Sequence, residues 1–409
     1  MIFVYYFLAA LLVWLSVKSF RGGIAYLSYF KRELARPPSD FTPFVSIIVP
    51  SRGLDDGLEQ NLTALFEQDY LDYEVIFVVD DPADAAIATI EKVIKAETRP
   101  AGGMYFNTIS AKLIVASQAN GCSQKVENLR EAVLHVAEQS QIFVFVDSDA
   151  RPSKDWLAAL VAPLADERVG AATGYRWFIP KTPTFGSEMR SVWNASISSA
   201  LGPNTKSNFC WGGSMAIRRD IFERVEMREK WLGTLSDDFA VTRTMNAAKL
   251  PIIFVPQALT ATVEDCSLAD TIEFTNRQMK ITRVYATPLW LLSFVGSALF
   301  NAVMIAALLI IIISRTNSFP VWASIAVLFL VTAFSVGKAW LRLKAVRLVL
   351  TDYELELKRQ TWTQNTLWIL SPALFFINSV AALASRRMTW RGITYELKSR
   401  TETVIIRGE

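Results

Sequence analysis

Three long apolar runs constrain this chain more than any other feature. Met1–Val17 and Leu289–Ser314 carry no charge at all, and Pro320–Leu341 carries only Lys338. A helix needs about 20 such residues to cross the hydrocarbon of a bilayer. Composition agrees: 52% of the residues are hydrophobic and 20% charged, with a mean hydropathy of +0.27. A chain of this kind is not disordered, and part of it belongs in lipid. Lys18, Arg21, Lys31, Arg32 and Arg36 follow the first run. A cleaved signal peptide carries its positive charge before the apolar stretch. The sequence therefore predicts a retained signal anchor (1–20) with its carboxyl end in the cytoplasm, followed by a linker (21–43). Two later spans would return the chain to the cytoplasm near Arg342, Lys344 and Arg347. A third, shorter run, Leu367–Ala384, would export Arg386, Arg387, Arg391, Lys398 and Arg400 if it crossed fully. A re-entrant or interfacial segment around Ser371-Pro372 is expected instead.

Between these runs the texture is that of an α/β domain. Val45–Val49, Tyr73–Val79, Lys112–Val115 and Ile142–Val146 are short β-branched or aromatic runs, as buried parallel strands require. Helical patterns separate them at 58–68, 83–96 and 125–138, which argues for βαβ units. Ligands of such sheets sit beyond the carboxyl ends of the strands, where Asp80, Asp81, Asp147 and Asp149 fall. A net charge of +3 gives no case for a nucleic-acid partner. The single histidine, His135, reads as structural. Three dispersed cysteines, 122, 210 and 266, form neither a zinc set nor a disulfide framework. P-loop, dinucleotide-fold and serine-hydrolase motifs are absent.

The chemistry-bearing residues follow from that frame. Val146-Asp147-Ser148-Asp149 ends a strand, and two carboxylates so spaced suit a hard divalent cation bridged to a diphosphate. A solvated turn is the plainer alternative, and a haloacid-dehalogenase-type phosphatase is disfavoured by Arg151. Asp237-Asp238 opens an apolar-periodic helix; one aspartate at a helix start is an ordinary N-cap, leaving the other free as a base. Trp211-Gly212-Gly213 is a tight turn or a wall for sugar or acceptor. Arg277, Gln278, Lys280 and Arg283 precede a membrane run, as snorkelling cations or as a phosphate clamp.

Taken together these motifs resemble the family 2 (GT-A) glycosyltransferases, and most closely the ceramide glucosyltransferases and their bacterial relatives. The likeness runs from about Phe44 to Leu397. It includes Pro50-Ser51-Arg52-Gly53, Asn61-Leu62, Lys125–Leu129, and Trp390-Arg391-Gly392 with Tyr395. The resemblance implies a nucleotide-sugar-binding domain at 44–285, a membrane region at 286–385 and a basic cytoplasmic tail at 386–409. It implies nucleotide-sugar contacts at Asp80, Asp147, Lys125, Arg277 and Lys280. Asp149 and Asp147 would serve Mg²⁺ or Mn²⁺, Trp211, Gly212, Gly213 and Asp237 the sugar and acceptor pocket, and Asp238 catalysis as the base. One signature departs from the family: R/Q-x-x-R-W stands here as Arg277-Gln278-Met279-Lys280-Ile281, which keeps a cation but loses the guanidinium fork and the aromatic wall.

The expected activity is inverting transfer of a hexose, from UDP-glucose or a similar donor, to a membrane lipid. The expected protein is integral to a membrane, most simply the bacterial inner membrane, with its catalytic domain facing the cytoplasm. A processive polysaccharide synthase would need a longer channel than these apolar runs supply. A non-enzymatic scaffold or transporter would not need acidic groups at several strand ends, and transport favours charges within the spans.

Overall fold

The structure is a computed structural model that describes residues 2–99, 108–314 and 318–406. In chain order its first half contains α1 (Ile2–Leu34), β1 (Val45–Pro50), α2 (Leu58–Thr63), β2 (Asp72–Val79), α3 (Ala86–Glu97), β3 (Thr108–Val115), α4 (Gln124–Ala132), β4 (Ile142–Phe145), α5 (Trp156–Val161), β5 (Ala171–Phe178) and α6 (Phe185–Ser198). There follow β6 (Met215–Arg218), α7 (Arg219–Arg224), α8 (Met227–Lys230), α9 (Asp237–Ala247), β7 (Ile252–Thr262), α10 (Leu268–Tyr285), α11 (Thr287–Ser314), α12 (Phe319–Val346), α13 (Glu354–Thr366), α14 (Ser371–Ala384) and the strands β8 (Arg387–Trp390), β9 (Ile393–Ser399) and β10 (Glu402–Ile406).

These elements form two compact units. One comprises Arg32–Thr182, Ala200–Asp265 and Arg386–Glu409; the other comprises Met1–Lys31, Pro183–Ser199 and Cys266–Ser385. The first is built on a mixed sheet of seven strands among the described residues, in the order β3-β2-β1-β4-β6-β5-β7. β1, β2, β3 and β4 are mutually parallel, as their continuous apolar runs require of strands covered on both faces. β6 runs antiparallel to both β4 and β5. It is four residues long, too short for its pattern to stand out in sequence. β5 runs unbroken through Gly174, where its register with β7 shifts, and a Cβ at Gly174 would lie 1.8 Å from the carbonyl oxygen of Ala258 on β7. That contact explains why a glycine sits within a strand.

From β1 the chain winds outward through β2 and β3, then returns to place β4 on the other side of β1. This reversal opens a crevice at the carboxyl ends of β1 and β4, where open α/β sheets bind ligands. Helix lengths differ from the sequence pattern. The segment expected to be helical over 125–138 ends as α4 at Ala132, so His135 lies beyond it, paired with Glu131 at 2.8 Å.

Of residues 386–409, expected to form a basic tail, the described ones, 386–406, instead belong to the sheet unit, where β8, β9 and β10 make an antiparallel sheet. Arg391 (φ 50°) and Gly392 (φ 78°) form the two-residue turn between β8 and β9, the conformation that matches strand twist in a tight hairpin. The Tyr395 hydroxyl accepts a hydrogen bond from the Gln124 amide at 3.2 Å, and Thr403 donates to the Gly233 carbonyl at 2.9 Å. Basic side chains hid this sheet: Arg386, Arg387, Arg391 and Lys398 mask the alternation of Met388, Tyr395 and Leu397, all of which are buried.

The second unit is helical. Among the described residues four helices are long and apolar enough to cross a membrane: Ile2–Leu34, Thr287–Ser314, Phe319–Val346 and Thr351–Ala384. The last is longer than the apolar run read from sequence because polar α13 leads into it, through a 3₁₀ turn at Leu367–Leu370. Pro372 falls in the first turn of α14, where a missing N–H costs no intrahelical bond. Buried polar side chains join the helices. Gln360 and Gln364 of α13 both donate to Ser191 of α6, at 3.1 and 3.2 Å, and Asn378 of α14 donates to Thr275 of α10 at 3.1 Å. Such bonds hold helices together where lipid removes the apolar driving force.

Candidate active site

The sheet topology gathers one acidic group after another at the β1–β4 crevice. Asp147 and Asp149 follow β4 directly. Because β6 is antiparallel to β4, with Phe145 opposite Met215, the turn Trp211-Gly212-Gly213-Ser214 arrives at the same end. Both glycines are needed for that approach. A Cβ on Gly212 would lie 2.1 Å from Asp237 Oδ2 and 2.9 Å from Lys125 Nζ, and one on Gly213 would lie 2.8 Å from Asp147 Oδ2. The backbone therefore threads between charged side chains that no larger residue would clear.

Lys125 links the two acidic groups. Its ammonium lies 2.6 Å from Asp147 Oδ1 and 3.3 Å from Asp237 Oδ1. Burial alone would depress this lysine, but Asp147, Asp237 and Asp238 together raise it, so it stays charged. Arg176 of β5 closes the other side, 3.2 Å from Asp149 and 3.6 Å from Asp147. Its guanidinium also stands 4.6 Å over the Trp211 ring, a cation–π contact. The carboxylates respond unequally. Burial would lift Asp147, yet Lys125 and Arg176 outweigh it and hold Asp147 below its usual range. Asp149 is pushed up to about 6, first by burial and then by Asp147, against Arg176. Burial likewise pushes Asp237 up to about 6 despite Lys125.

Asp237 and Asp238 do not divide as cap and base in the way the sequence suggests. Ser236, with extended backbone, is the N-cap of α9, so both aspartates lie inside the first turn, where the helix dipole favours them. Asp238 Oδ1 accepts from the Phe239 amide at 2.7 Å and from the Ser236 hydroxyl. Its Oδ2 makes only a long contact of 3.4 Å with the Gly212 amide. Asp237 is buried and tied to Lys125, whereas Asp238 is partly exposed.

Asp80 follows β2 and pairs with Arg52, which lies just beyond β1. Asp81 accepts from the Ala83 amide at 2.8 Å in an exposed turn. Arg277 and Lys280 lie on α10, in the helical unit. Partial burial lowers the Lys280 ammonium, and Arg277 stands 5.5 Å from the Phe274 ring.

Several residues of this crevice escaped the sequence reading. Arg176 is the clearest; its signal was a lone cation in an otherwise buried strand, which requires a partner. Asp55 accepts from the Ser148 hydroxyl at 2.6 Å and pairs with Arg391 at 2.5 Å, a contact 336 residues apart in sequence. Asn61, read from sequence only as a point of family likeness, donates to the Ser148 carbonyl at 3.1 Å and accepts from Arg151 at 3.0 Å, fixing the Asp147–Asp149 turn.

Two of these carboxylates suit a hard divalent cation. Asp149 Oδ1 is buried without a hydrogen-bond partner, an acceptor left over in the place where a cation would need one. No group of three or more His, Cys, Asp or Glu is assembled for a metal among the described residues. A cation held here would take its other ligands from water and a diphosphate, as Mg²⁺ commonly does.

A mixed α/β sheet with an acidic crevice at its switch point is a ligand-binding architecture, and among the described residues the chain also has four helices apolar enough to cross a membrane. The profile of glycosyl transferase family 21 matches residues 11–403, and the chain belongs to that family. It is 30% identical over 107 residues to ceramide glucosyltransferase 1 of Caenorhabditis elegans, covering 26% of this chain and 21% of that protein. It is 27% identical over 176 residues to the ceramide glucosyltransferase of Gibberella zeae, covering 39% and 31%. The matched stretches thus span less than a third of these relatives. Among solved structures it is similar to the mannosyltransferase PcManGT of Pyrobaculum calidifontis in complex with GDP-Man and Mn²⁺ (18% identity, TM-score 0.42, 90% of this chain and 99% of that one). A second is GalNAc-T7 with UDP, GalNAc and Mn²⁺ (12% identity, TM-score 0.41, 56% and 44%).

Proposed function

We propose that this chain is an inverting hexosyltransferase that moves a sugar from a nucleotide donor, UDP-linked by expectation, to a lipid hydroxyl. The observation that carries this reading is the convergence of Asp147 and Asp237 on Lys125 and Gly212-Gly213, with Asp238 beside Gly212 and Asp149 tied in through Arg176, which also faces Asp147. In this reading Asp80 and Asp147 contact the nucleotide sugar, and Trp211, Gly212 and Gly213 wall the sugar pocket. Asp238, partly exposed and with one oxygen only weakly engaged, removes the acceptor proton. The acceptor oxygen forms its bond to the anomeric carbon as the bond from that carbon to the diphosphate oxygen breaks, and the electron pair leaves with the diphosphate. Lys125 and Arg176 provide fixed positive charge at that end, and Asp237 holds Lys125 in place. Asp149 and Asp147 would hold Mg²⁺ or Mn²⁺, which would supply charge neutralisation for the leaving diphosphate. Arg277 and Lys280 keep their proposed phosphate-binding role on sequence grounds alone. Family membership supports the lipid acceptor, and the positive residues after the first apolar run support a cytoplasmic catalytic domain.

The test uses membranes containing the chain, radiolabelled nucleotide sugars, and Mn²⁺ or Mg²⁺. Label should enter the organic-extractable lipid, and Asp238→Asn should abolish transfer, a loss of about 10²–10⁴, while nucleotide binding persists. Label confined to insoluble polymer would replace this reading with a polysaccharide synthase. Loss of nucleotide binding in the variant would move Asp238 from base to donor site.

A further inference from the structure

The helical unit contains charge that the transferase reading does not use. Lys338 and Arg342 stand one turn apart on α12, so the two cations lie on the same face. Arg342 is only 5% exposed. Its terminal nitrogen donates to the neutral Gln364 carbonyl oxygen of α13 at 3.1 Å, and its Nε, also buried, has no partner. Lys338 donates to the hydroxyl of Ser19 on α1 at 3.0 Å. Gly23 of α1 lets the lysine pass closely, since a Cβ there would lie 3.2 Å from Lys338 Cγ. The other cations closing α12 are accommodated differently: Arg347 pairs with Glu354 at 3.0 Å, and Lys344 stands 4.9 Å over the Trp340 ring. Among the described residues Lys338 and Arg342 meet only the neutral oxygens of Ser19 and Gln364, with the neutral Tyr26 phenol also near Arg342. A buried guanidinium with one neutral acceptor and an unused N–H edge is costly, and a second cation one turn away adds repulsion.

We propose that Lys338 and Arg342, with Ser19 and Gln364, form a binding site for a phosphate group, supplied by the headgroup of an anionic membrane phospholipid. A phosphate offers the missing charge and several acceptors for a guanidinium edge and an ammonium. Position favours the lipid source. Counted from Phe319, Lys338 and Arg342 lie about 28 and 35 Å along α12, so a span that begins at Phe319 and crosses roughly 30 Å of hydrocarbon puts the pair at its boundary with the headgroups. Basic pockets between membrane helices recognise such headgroups. This inference does not rest on the transferase reading.

The experiment is native mass spectrometry of the full chain in neutral detergent, titrated with phosphatidylglycerol, with diacylglycerol as the headgroup-free control. One phosphatidylglycerol should be retained and diacylglycerol should not. Lys338→Gln and Arg342→Gln should each weaken retention about fivefold, and Arg342→Lys should restore most of it. In a parallel arm inorganic phosphate replaces the lipid. If phosphate alone raises the thermal midpoint of the unmodified chain, but not of the double Gln variant, while phosphatidylglycerol is not retained, the site takes a free anion and the lipid assignment is overturned. Equal phosphatidylglycerol retention by the unmodified chain and both Gln variants overturns the proposal, as does binding of neither ligand. Should Arg342→Gln fail to fold, Lys338→Gln, at a partly exposed position, still decides between these results.

Discussion

Gly212 shows how narrowly single residues are constrained at the crevice. Any side chain there collides with Asp237 and Lys125, so Gly212→Ala is expected to cost about 1–3 kcal/mol and to displace the Lys125 bridge. Thermal unfolding measures the first effect, and donor affinity the second. The buried carboxylates give a pH signature at the same scale. Asp149 and Asp237 are both raised from 3.8 to about 6 in the folded chain. The folded state therefore binds these protons more tightly than the unfolded state, and the resulting stability is present below about pH 4 and lost as pH rises through 6. The thermal midpoint of the detergent-solubilised, metal-free chain should fall over that window. Asp149→Asn and Asp237→Asn should each flatten the slope; an unchanged slope would mean that neither carboxyl is held protonated. Little of this was legible beforehand. Asp147, Asp149 and Asp238 could be picked out because strand ends and helix starts are visible as patterns. Arg176 and Asp55 could not, because their importance lies in which distant residues they meet.

Among the elements, the terminal hairpins depart most from expectation. Their strands carry so many basic residues that the sequence reads as a solvated tail, yet Tyr395 and Leu397 are buried and Gly233 receives the Thr401 carbonyl. Gly233 has φ 78° and a Cβ there would lie 2.1 Å from that oxygen. Gly233→Ala should therefore lose about 1–3 kcal/mol through backbone strain and collision. It should also release residues 386–406 to limited proteolysis before the rest of the sheet unit. Resistance equal to that of the unmodified chain would show that the hairpins dock elsewhere. α10 begins with a full capping box, Ser267 and Asp270 each satisfying the other's backbone amide. Ser267→Ala should cost about 1 kcal/mol, read as a lower thermal midpoint.

At the scale of the whole molecule, the four long apolar helices found among the described residues fit a membrane protein. Their exposed faces carry large apolar side chains such as Phe3, Phe7, Ile312, Ile313 and Phe329, a surface that water does not tolerate. The chain should remain with membranes through an alkaline carbonate wash and enter solution only with detergent. Release by carbonate alone would mean that these helices do not cross the bilayer. The sequence by itself determined the apolar runs of α1, α11 and α12, since transfer free energy accumulates residue by residue along a helix and needs no partner. That polar α13 joins the shorter run at 367–384 into a helix of membrane length was decided by the structure. The sequence also determined the first parallel strands and the acidic residues at their ends, because a buried strand is a local, continuous apolar run. The tertiary structure alone decided the rest. Short β6, and β5 with a glycine and an arginine in its run, become strands only by pairing with neighbours. The charged terminal residues fold because the sheet unit offers them a surface. Lys125 meets Asp147 and Asp237 only because chain reversal at β4 and the antiparallel β6 bring separate loops to one edge. Electrostatic pairing depends on distance in space, and no local pattern along the chain encodes that distance.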